Sequence, residues 1–387
     1  MRYAIRGLGR APQHMGLAYD VWLDTTPGEV PPEQQPEWFE RLAEVHVSPD
    51  YAQAFELWRR SLEGAQTNTL TLASRLLVGH GNPSPLEVGL TVHRTWGVPI
   101  VSGSALKGLL SHYVDAVYGP SGPLPDDRSP MHPALSEDER RRARYQGSTW
   151  DEVGRVHHGP GEIHRALFGA PSAATDEALR ALDVECGETQ GALIFHDALY
   201  IPSASPPDRP YVWDVLTVHQ KEYYSRKAPA PTDYDDPNPV HFLTVRPGSM
   251  FLVAIGTIGE DTASGRWAEQ AMEWLCDALA EWGVGAKTSA GYGRFARPPR
   301  VVRAPVRTMD GATLYWDPGG GGVLEAKVGA RRIGVARGDA ARSLVQSMGP
   351  DEARRLSRNR DLASVRVTVQ DPDTRNATIV RVDLPPR

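Results

Sequence analysis

The chain has 387 residues, 40% of them hydrophobic, and a formal net charge of −6 at pH 7, which favours two or three folded domains and excludes a uniformly basic nucleic-acid-binding surface. No apolar run approaches the roughly 18 residues of a membrane span, and the start, MRYAIRGLGRAPQH, lacks the apolar segment of a signal peptide. The only cysteines are Cys186 and Cys276, at no metal-ligand spacing, so we expect a cytoplasmic protein without a disulfide framework.

Residues 1–67 are predicted to form a mostly helical N-terminal extension that packs on the next domain. Prolines interrupt its first half, and apolar residues then recur at helical spacing after Pro49. These residues are Tyr51, Ala54, Phe55, Trp58 and Leu62. No pattern in this extension indicates catalytic chemistry.

A core domain is predicted for residues 68–297, and its first elements are two short strands. TLTLASRLLV alternates and is rich in strand formers, GHGNPSP is a loop, and LEVGLTVHR is the second strand. A helix follows directly. This order indicates the first half of a ferredoxin-like β-α-β unit, and we expect the core to be α+β.

The stretch GVPIVSGSALKGLLSHYVDAVY is predicted to form a turn and then an amphipathic helix. Ser102 and Ser104 can cap the helix start, and Gly103 lets the backbone bend. Lys107 lies in the first turn, where the helix dipole disfavours a cation, and Gly108 costs about 1 kcal/mol relative to alanine. Both residues make sense if an anion such as phosphate approaches the helix start. The alternative is a capped core helix with a surface lysine.

The middle of the chain offers no clear metal site. His157, His158 and His164 lack cysteine or acidic partners at ligand spacing, apart from Glu162, so we predict no bound metal. The strand in QGALIFHDALYIP is followed by Asp197, which could act as a base or ligand. A carboxylate at such a position more often bonds to nearby backbone.

The segment VWDVLTVHQKEYYSRK has the densest mixture of cations and aromatic rings in the chain. Its candidate RNA-binding residues are His219, Lys221, Tyr223, Tyr224 and Arg226. Such a mixture can stack bases and neutralise the phosphates of an extended single strand. The alternative is a loop held in place by buried tyrosines.

Two regular elements follow this segment. Residues 239–256 predict a hairpin of two apolar strands around the turn Arg246–Ser249. Residues 264–281 predict a strongly amphipathic helix, with apolar side chains at spacings of three and four.

A second glycine-rich stretch, WGVGAKTSAGYGRF, comes directly after that helix. Its candidate RNA-binding residues are Gly285, Lys287, Thr288, Ser289, Tyr292 and Arg294. Glu281 and Ala286 stand where a phosphate-binding P-loop needs glycines, and helix and strand come in the wrong order, so no nucleotide cofactor, or any other cofactor, is predicted. A ledge with few side chains, a lysine and hydroxyls indicates contacts to backbone phosphates. The alternative is a purely structural loop.

Residues 301–387 are predicted to form a separate small α+β domain after a Pro-rich linker. ATLYW, GVLEAKV, RRIGVAR, SVRVTV and ATIVRV read as strands, and residues 339–358 as helical. The many basic residues leave two functions open, an auxiliary RNA contact or a subunit interface.

With these motifs placed, GVPIVSGSALKGLL resembles the Gly-x-Pro-x-Ile-Pro-Gly-Ser-Ser-Leu-Lys-Gly signature of RAMP proteins, the repeat-associated subunits of CRISPR effector complexes. GVGAKTSAGYGRF resembles the glycine-rich loop near the end of the RAMP core. The segments HRALFG, IFHDA, DVLTVHQKEYYS and NPVHFLTVRPGSMF resemble the sixth-subunit branch of this family, found in type III-B (Cmr) complexes. The likeness covers about residues 68–297. Val101 stands where the family pattern has proline.

The resemblance implies an RRM-like core that binds guide RNA within a ribonucleoprotein for antiviral defence. Its implied place is toward the 3′ end of the guide, where it supports the capture of target RNA. Its implied partners are the backbone subunit, the first subunit and the small helical subunit of the complex. No aspartate here matches the cleaving residue of the backbone subunit, so we predict a non-catalytic protein.

Two alternatives remain open at this point. Related RAMP proteins are metal-independent endoribonucleases that process guide precursors, and His219 with Lys221 and Tyr223 is the best candidate catalytic set, with His93 weaker. A pure scaffold, whose glycine loops only pack on other subunits, is the second. The central hypothesis is that Lys107 and Lys287 come together and bind one RNA backbone.

Overall fold

The computed structural model describes residues 14–21, 35–84, 86, 88–121, 136–150, 156–171, 188–218, 220–227, 229–231, 238–259, 262–298, 306–319, 322–359, 361–370 and 377–384. The chain divides into two compact units, Met1–Pro298 and Pro299–Arg387. Each unit has its own hydrophobic core. Both combine helices with strands, so the α+β class expected from the sequence is confirmed.

The regular elements alternate along the chain. The helices are α1 (Gln35–Ala43), α2 (Tyr51–Ser61), α3 (Gly103–Tyr118), α4 (Glu137–Ala143), α5 (Glu162–Phe168), α6 (Lys221–Tyr224), α7 (Thr262–Glu281), α8 (Gly338–Ser347) and α9 (Pro350–Asn359). The strands are β1 (Gln66–Thr71), β2 (Ile100–Val101), β3 (Thr149–Trp150), β4 (Val156–His158), β5 (Gly169–Ala170), β6 (Thr189–Gln190), β7 (Leu193–Phe195), β8 (Ala198–Tyr200), β9 (Tyr211–Val218), β10 (Asn238–Val245), β11 (Met250–Thr257), β12 (Val306–Asp317), β13 (Val323–Val328), β14 (Arg331–Arg337), β15 (Asp361–Gln370) and β16 (Thr378–Asp383). None of these helices is long and apolar enough to cross a membrane.

The main sheet of the first unit has the order β1–β11–β8–β2, with β7 also paired to β11, and every pairing is antiparallel. Beyond β1, an antiparallel bridge joins Leu72 to Phe295. Residues 251–256 of β11 are all buried because this strand lies in the middle of the sheet. Helices α3 and α7 pack against each other, with the rings of Tyr118 and Trp274 5.0 Å apart.

The N-terminal helices share the core of the first unit. The ring of Phe39 in α1 lies 6.0 Å from the ring of His241 in β10. The hydroxyl of Tyr51 in α2 donates a 2.6 Å hydrogen bond to the carbonyl of Tyr200 in β8. A buried tyrosine hydroxyl needs such a partner, so this hydrogen bond helps to hold α2 on the main sheet.

One predicted strand and one predicted strand pairing are wrong. LEVGLTVHR is not a strand in its described residues, where only Val92 forms a bridge, with Pro99. Residues 239–256 form two strands around the predicted turn, but β10 pairs with β9 and β11 pairs with β1, β7 and β8. The turn at Arg246–Ser249 carries the chain from one sheet to another, because an apolar pattern predicts a strand but not its partner.

The second unit is a five-stranded antiparallel sheet, β14–β13–β12–β15–β16, with α8 and α9 packed on it. Leu314, Leu324 and Leu356 are fully buried in its core. The predicted helical stretch 339–358 is two helices, interrupted at Met348 and Gly349. The strands agree with those expected from the sequence.

Candidate nucleic-acid interface

The start of α3 is capped as expected, but it is not an open anion site. The hydroxyl of Ser102 accepts the N–H of Ala105 at 3.3 Å and lies 3.0 Å from the hydroxyl of Ser104. The N–H of Gly103 donates to a carboxylate oxygen of Asp197 at 2.7 Å. Because a carboxylate already occupies the helix start, it repels a phosphate there.

Gly103 is buried, and its role is packing. A Cβ at this position would collide with the carbonyl of Phe195 in β7. Gly103 therefore lets the start of α3 approach the main sheet, and a role for Gly103 in RNA binding stays a prediction. Asp197 therefore bonds to backbone, as one of its two interpretations predicted, but the backbone N–H belongs to a residue 94 positions away in the chain.

Lys107 does not face the second glycine-rich stretch. It lies on the same helix face as Ser111, four residues later, whose hydroxyl is 3.0 Å from Nε2 of His164 in α5. Trp282, the first residue of the glycine-rich stretch, packs instead on His112 and Tyr113, with ring centroids 6.2 and 5.2 Å away. These two residues lie about 120–140° around the helix from Lys107. The hypothesis that Lys107 and Lys287 form one site is not supported by this geometry.

The glycine-rich loop, residues 282–293, is hydrogen-bonded to the segment that follows β1. The N–H of Ala286 donates to the carbonyl of Leu77 at 2.8 Å, and the N–H of Gly293 donates to the carbonyl of Arg75 at 2.7 Å. Gly285 has φ of +91°, and a Cβ there would collide with the carbonyl of Leu77. This glycine is needed for the close approach of two backbones.

Lys287 is half-buried and comes just before the exposed residues 289–291 of this loop. Its backbone is left-handed, with φ of +59°, an uncommon conformation for a residue with a side chain. Thr288 is half-buried and Ser289 exposed, in the 3₁₀ turn that follows. Within the described residues, neither Lys287 nor Lys107 forms a salt bridge. Both positive charges are therefore available to a ligand.

His80 is a neighbour of Lys287 that the sequence did not single out. Burial lowers the pKa of His80, and the charge of Lys287 lowers it further. The neutral ring is therefore favoured at pH 7. Its Nδ1 is buried and has no hydrogen-bond partner among the described residues. A glycine on each side, in GHGNP, was the only signal in the sequence.

Tyr292 and Arg294 serve the fold. The hydroxyl of Tyr292 donates to Asp214 at 2.7 Å, and its ring lies 6.4 Å from that of Phe242. The side chain of Arg294 donates to the carbonyl of Ala280 at 3.3 Å, at the end of α7, where a cation offsets the helix dipole. Both side chains therefore have partners within the chain, and the assignment of the two residues to RNA binding stays a prediction.

Asp214 joins the loop to the hairpin β9–β10. Its carboxylate accepts a hydrogen bond from the hydroxyl of Tyr292 and forms a 2.5 Å ion pair with Arg75. Burial alone would raise the pKa of Asp214, but hydrogen bonds from Tyr292, Arg75 and the N–H of Val215, with the charge of Arg75, hold it below its ordinary value. Burial and the bond to Asp214 raise the pKa of Tyr292 to about 12. The sequence did not reveal this cluster, whose members lie far apart along the chain.

The hairpin carries the basic and aromatic segment at its tip. Tyr223 and Tyr224 in α6 are 39% and 73% exposed, with ring centroids 5.6 Å apart, and Arg226 is exposed. The alternative of a loop held by buried tyrosines is therefore wrong. His219 lies outside the described residues, and of Lys221 only the backbone is described.

The described residues contain no group of three or more ligands that could hold a metal ion. His164 is buried against Ser111, and the side chains of His157 and His158 lie outside the described part. Burial lowers the pKa of His93, and the nearby Asp197 partly opposes that change.

The model of the RAMP superfamily matches residues 69–296, more than half of the chain. The chain belongs to the RAMP superfamily. It is also 32% identical over 240 residues to the CRISPR system Cmr subunit Cmr6 of Pyrococcus furiosus, a match that covers 59% of this chain and 67% of that protein. The likeness to the Cmr branch of the family is thus confirmed. The RAMP region contains the main sheet, the hairpin and the glycine-rich loop, and it ends before the second unit.

Solved structures resemble the chain more distantly. A subunit in the cryo-EM structure of the type III-B Cmr-beta complex bound to cognate target RNA is 16% identical, covers 68% of this chain and 71% of its own, and has a TM-score of 0.42. The crystal structure of Cmr6 from Pyrococcus furiosus is 28% identical, covers 60% of this chain and 98% of its own, and has a TM-score of 0.30. Both TM-scores are below 0.5, so the family assignment depends on the sequence matches.

Proposed function

We propose that this protein is a non-catalytic subunit of a type III-B CRISPR effector complex, and that it binds guide RNA through its glycine-rich loop and hairpin tip. The observation that carries this proposal is the Asp214 cluster, which fastens the loop with Lys287 to the hairpin with Tyr223 and Tyr224 at its tip. The similarity to Cmr6 supports membership of such a complex. Partners are then guide and target RNA and the other Cmr subunits.

The core is inferred to be ferredoxin-like. Strands β1, β11 and β7–β8 lie side by side, and the bridge at Phe295 lies next to Leu72 beyond β1, which matches the order 4-1-3-2 of a β-α-β-β-α-β unit if the bridge stands for its fourth strand. Helix α3 comes between the first and second of these strands in the chain, and α7 between the third and fourth. Such a core places the glycine-rich loop immediately after its second helix.

Binding is directed at the RNA backbone. Lys287 neutralises a phosphate, and the hydroxyls of Thr288 and Ser289 position it. Arg226 provides a second cation, and the exposed rings of Tyr223 and Tyr224 stack on bases whatever their identity. A protein that holds guides of varying sequence needs contacts of this kind, because base-specific contacts would exclude most guides. We place the subunit toward the 3′ end of the guide, beside the backbone, first and small helical subunits.

Replacement of Lys287 by alanine tests the proposal. We expect the affinity of the full-length chain for a fluorescein-labelled single-stranded RNA of mixed sequence to fall by roughly tenfold, with the slope of log K against log salt reduced by about 0.7, the value for one phosphate contact to a single strand. Fluorescence anisotropy at several salt concentrations measures both quantities. The labelled RNA should be recovered intact in the presence of a chelator, since no cleavage is proposed.

The matched control is Lys327→Ala. Lys327 lies in the second unit, 3.2 Å from Glu325 and 4.7 Å from the ring centre of Tyr315, so its charge is already compensated. We expect this variant to bind like the parent chain. Equal affinities and equal salt slopes for Lys287→Ala and the parent would refute the role of the loop and favour a scaffold.

A further inference from the structure

The second unit differs from the rest of the chain in charge. Residues 299–387 contain 16 lysines and arginines against 10 aspartates and glutamates, whereas residues 1–298 contain 26 against 38. The match to the RAMP family ends at residue 296. A net basic unit attached to an acidic RAMP region needs an explanation of its own, and a polyanionic partner is the simplest physical one.

Several described cations of this unit are paired with carboxylates. On the sheet, Lys327 lies 3.2 Å and Arg332 3.7 Å from Glu325, and Arg366 lies 2.5 Å from Asp310. In α8, Arg342 lies 3.3 Å from Asp339. The charges of these paired cations are offset by their own carboxylates, so these cations are poor sites for a polyanion.

Helix α9 is different. Arg354, Arg355 and Arg358 are exposed on its outer side, while Leu356 is fully buried in the core beneath. In the described part of the chain, none of the three arginines has a carboxylate within salt-bridge distance. The three arginines repel one another within the helix, although Asp351 and Glu352 in the first turn and the place of Arg358 in the last turn partly offset that repulsion.

We propose that α9 is a second contact for nucleic acid, through the phosphodiester backbone alone. Arginine presents several N–H groups in a plane and binds phosphate oxygens in pairs, and three side chains within about one helical turn can reach neighbouring phosphates of one strand. No aromatic residue occurs in α9 to stack on a base, so the contact carries no sequence preference. The contact does not depend on the glycine-rich loop, which belongs to the other unit.

The test removes the three charges together. In the full-length chain carrying Arg354→Ala, Arg355→Ala and Arg358→Ala, we expect the affinity for labelled single-stranded RNA to fall at least tenfold and the salt slope to fall by about 2, the sum for three phosphate contacts. A chain in which all three arginines are lysine should keep the parental salt slope. Thermal unfolding should be unchanged in both, because the three side chains are on the surface.

A second triple variant is the matched control. Lys327→Ala, Arg332→Ala and Arg366→Ala remove the same net charge from the paired cations of the sheet, and we expect affinity within about twofold of the parent, since surface ion pairs leave little free charge. Single-stranded DNA of the same sequence distinguishes the source of the phosphates. Equal losses on RNA and DNA, or a larger loss on RNA, support the proposal.

Other outcomes would overturn it. Equal losses in the two triple variants would mean that only the net charge of the unit matters. Unchanged affinity and slope in the α9 variant, or unchanged RNA binding together with loss of another Cmr subunit from the complex, would assign the arginines to a protein partner instead. The Lys287→Ala variant reports on the loop separately, so the two proposals fail independently.

Discussion

Replacing Gly103 with alanine is expected to lower the free energy of unfolding of the first unit by about 3 kcal/mol or more. The added methyl group would collide with the backbone carbonyl of Phe195, so α3 or β7 must move. That movement also weakens the hydrogen bond from the N–H of Gly103 to Asp197. Urea unfolding followed by tryptophan fluorescence measures the loss, because nine of the ten tryptophans lie before residue 299.

Gly108→Ala is the control in the same helix. No other part of the described chain lies within 4 Å of a Cβ at Gly108, apart from the helix itself, so we expect stabilisation by about 0.5–1 kcal/mol. The pair separates the cost of a collision from helix propensity. A Gly103→Ala protein as stable as the parent would show that the start of α3 does not need this close approach.

Replacing Asp214 with alanine is expected to cost about 2 kcal/mol at pH 7. The change leaves Arg75 and the hydroxyl of Tyr292 without their shared acceptor, although the 40% exposure of the Arg75 side chain lets water replace part of the interaction. The hairpin should also loosen from the glycine-rich loop. We therefore expect RNA binding to weaken further than in Tyr292→Phe, which loses one hydrogen bond and keeps the ion pair.

The pH dependence gives a second measurement on Asp214. Because its pKa is lower in the folded chain than in the unfolded one, its stabilisation is complete above the unfolded pKa of about 4 and disappears as the pH falls through the folded value. The difference in unfolding free energy between the parent and Asp214→Asn should thus shrink when urea unfolding is repeated at successively lower pH below 4. A difference that stays constant down to the lowest pH at which both proteins fold would contradict the depressed pKa.

Local sequence patterns predicted much of the secondary structure correctly. The cap at Ser102, helices α3 and α7, the turn at Arg246–Ser249 and the strands of the second unit all depend on residues close together in the chain. Hydroxyl caps, apolar spacings of three and four, and Pro-Gly turns act over one or two turns of backbone. The RAMP likeness rests on the same short motifs, and it could therefore be found without coordinates.

Only the tertiary structure decided which of these pieces lie together. Asp197 is 94 residues from the helix start that it caps, and Asp214 is 78 residues from Tyr292. No residue near either position in the chain indicates its partner. Likewise, the sequence around β10 and β11 does not indicate that the two strands belong to different sheets. The sequence by itself therefore determined the elements and the family, whereas long-range packing decided that the glycine-rich loop is joined to the hairpin through Tyr292 and Asp214. The reason is that a helix presents each side chain in one direction, and the neighbour it meets there depends on how the whole chain packs.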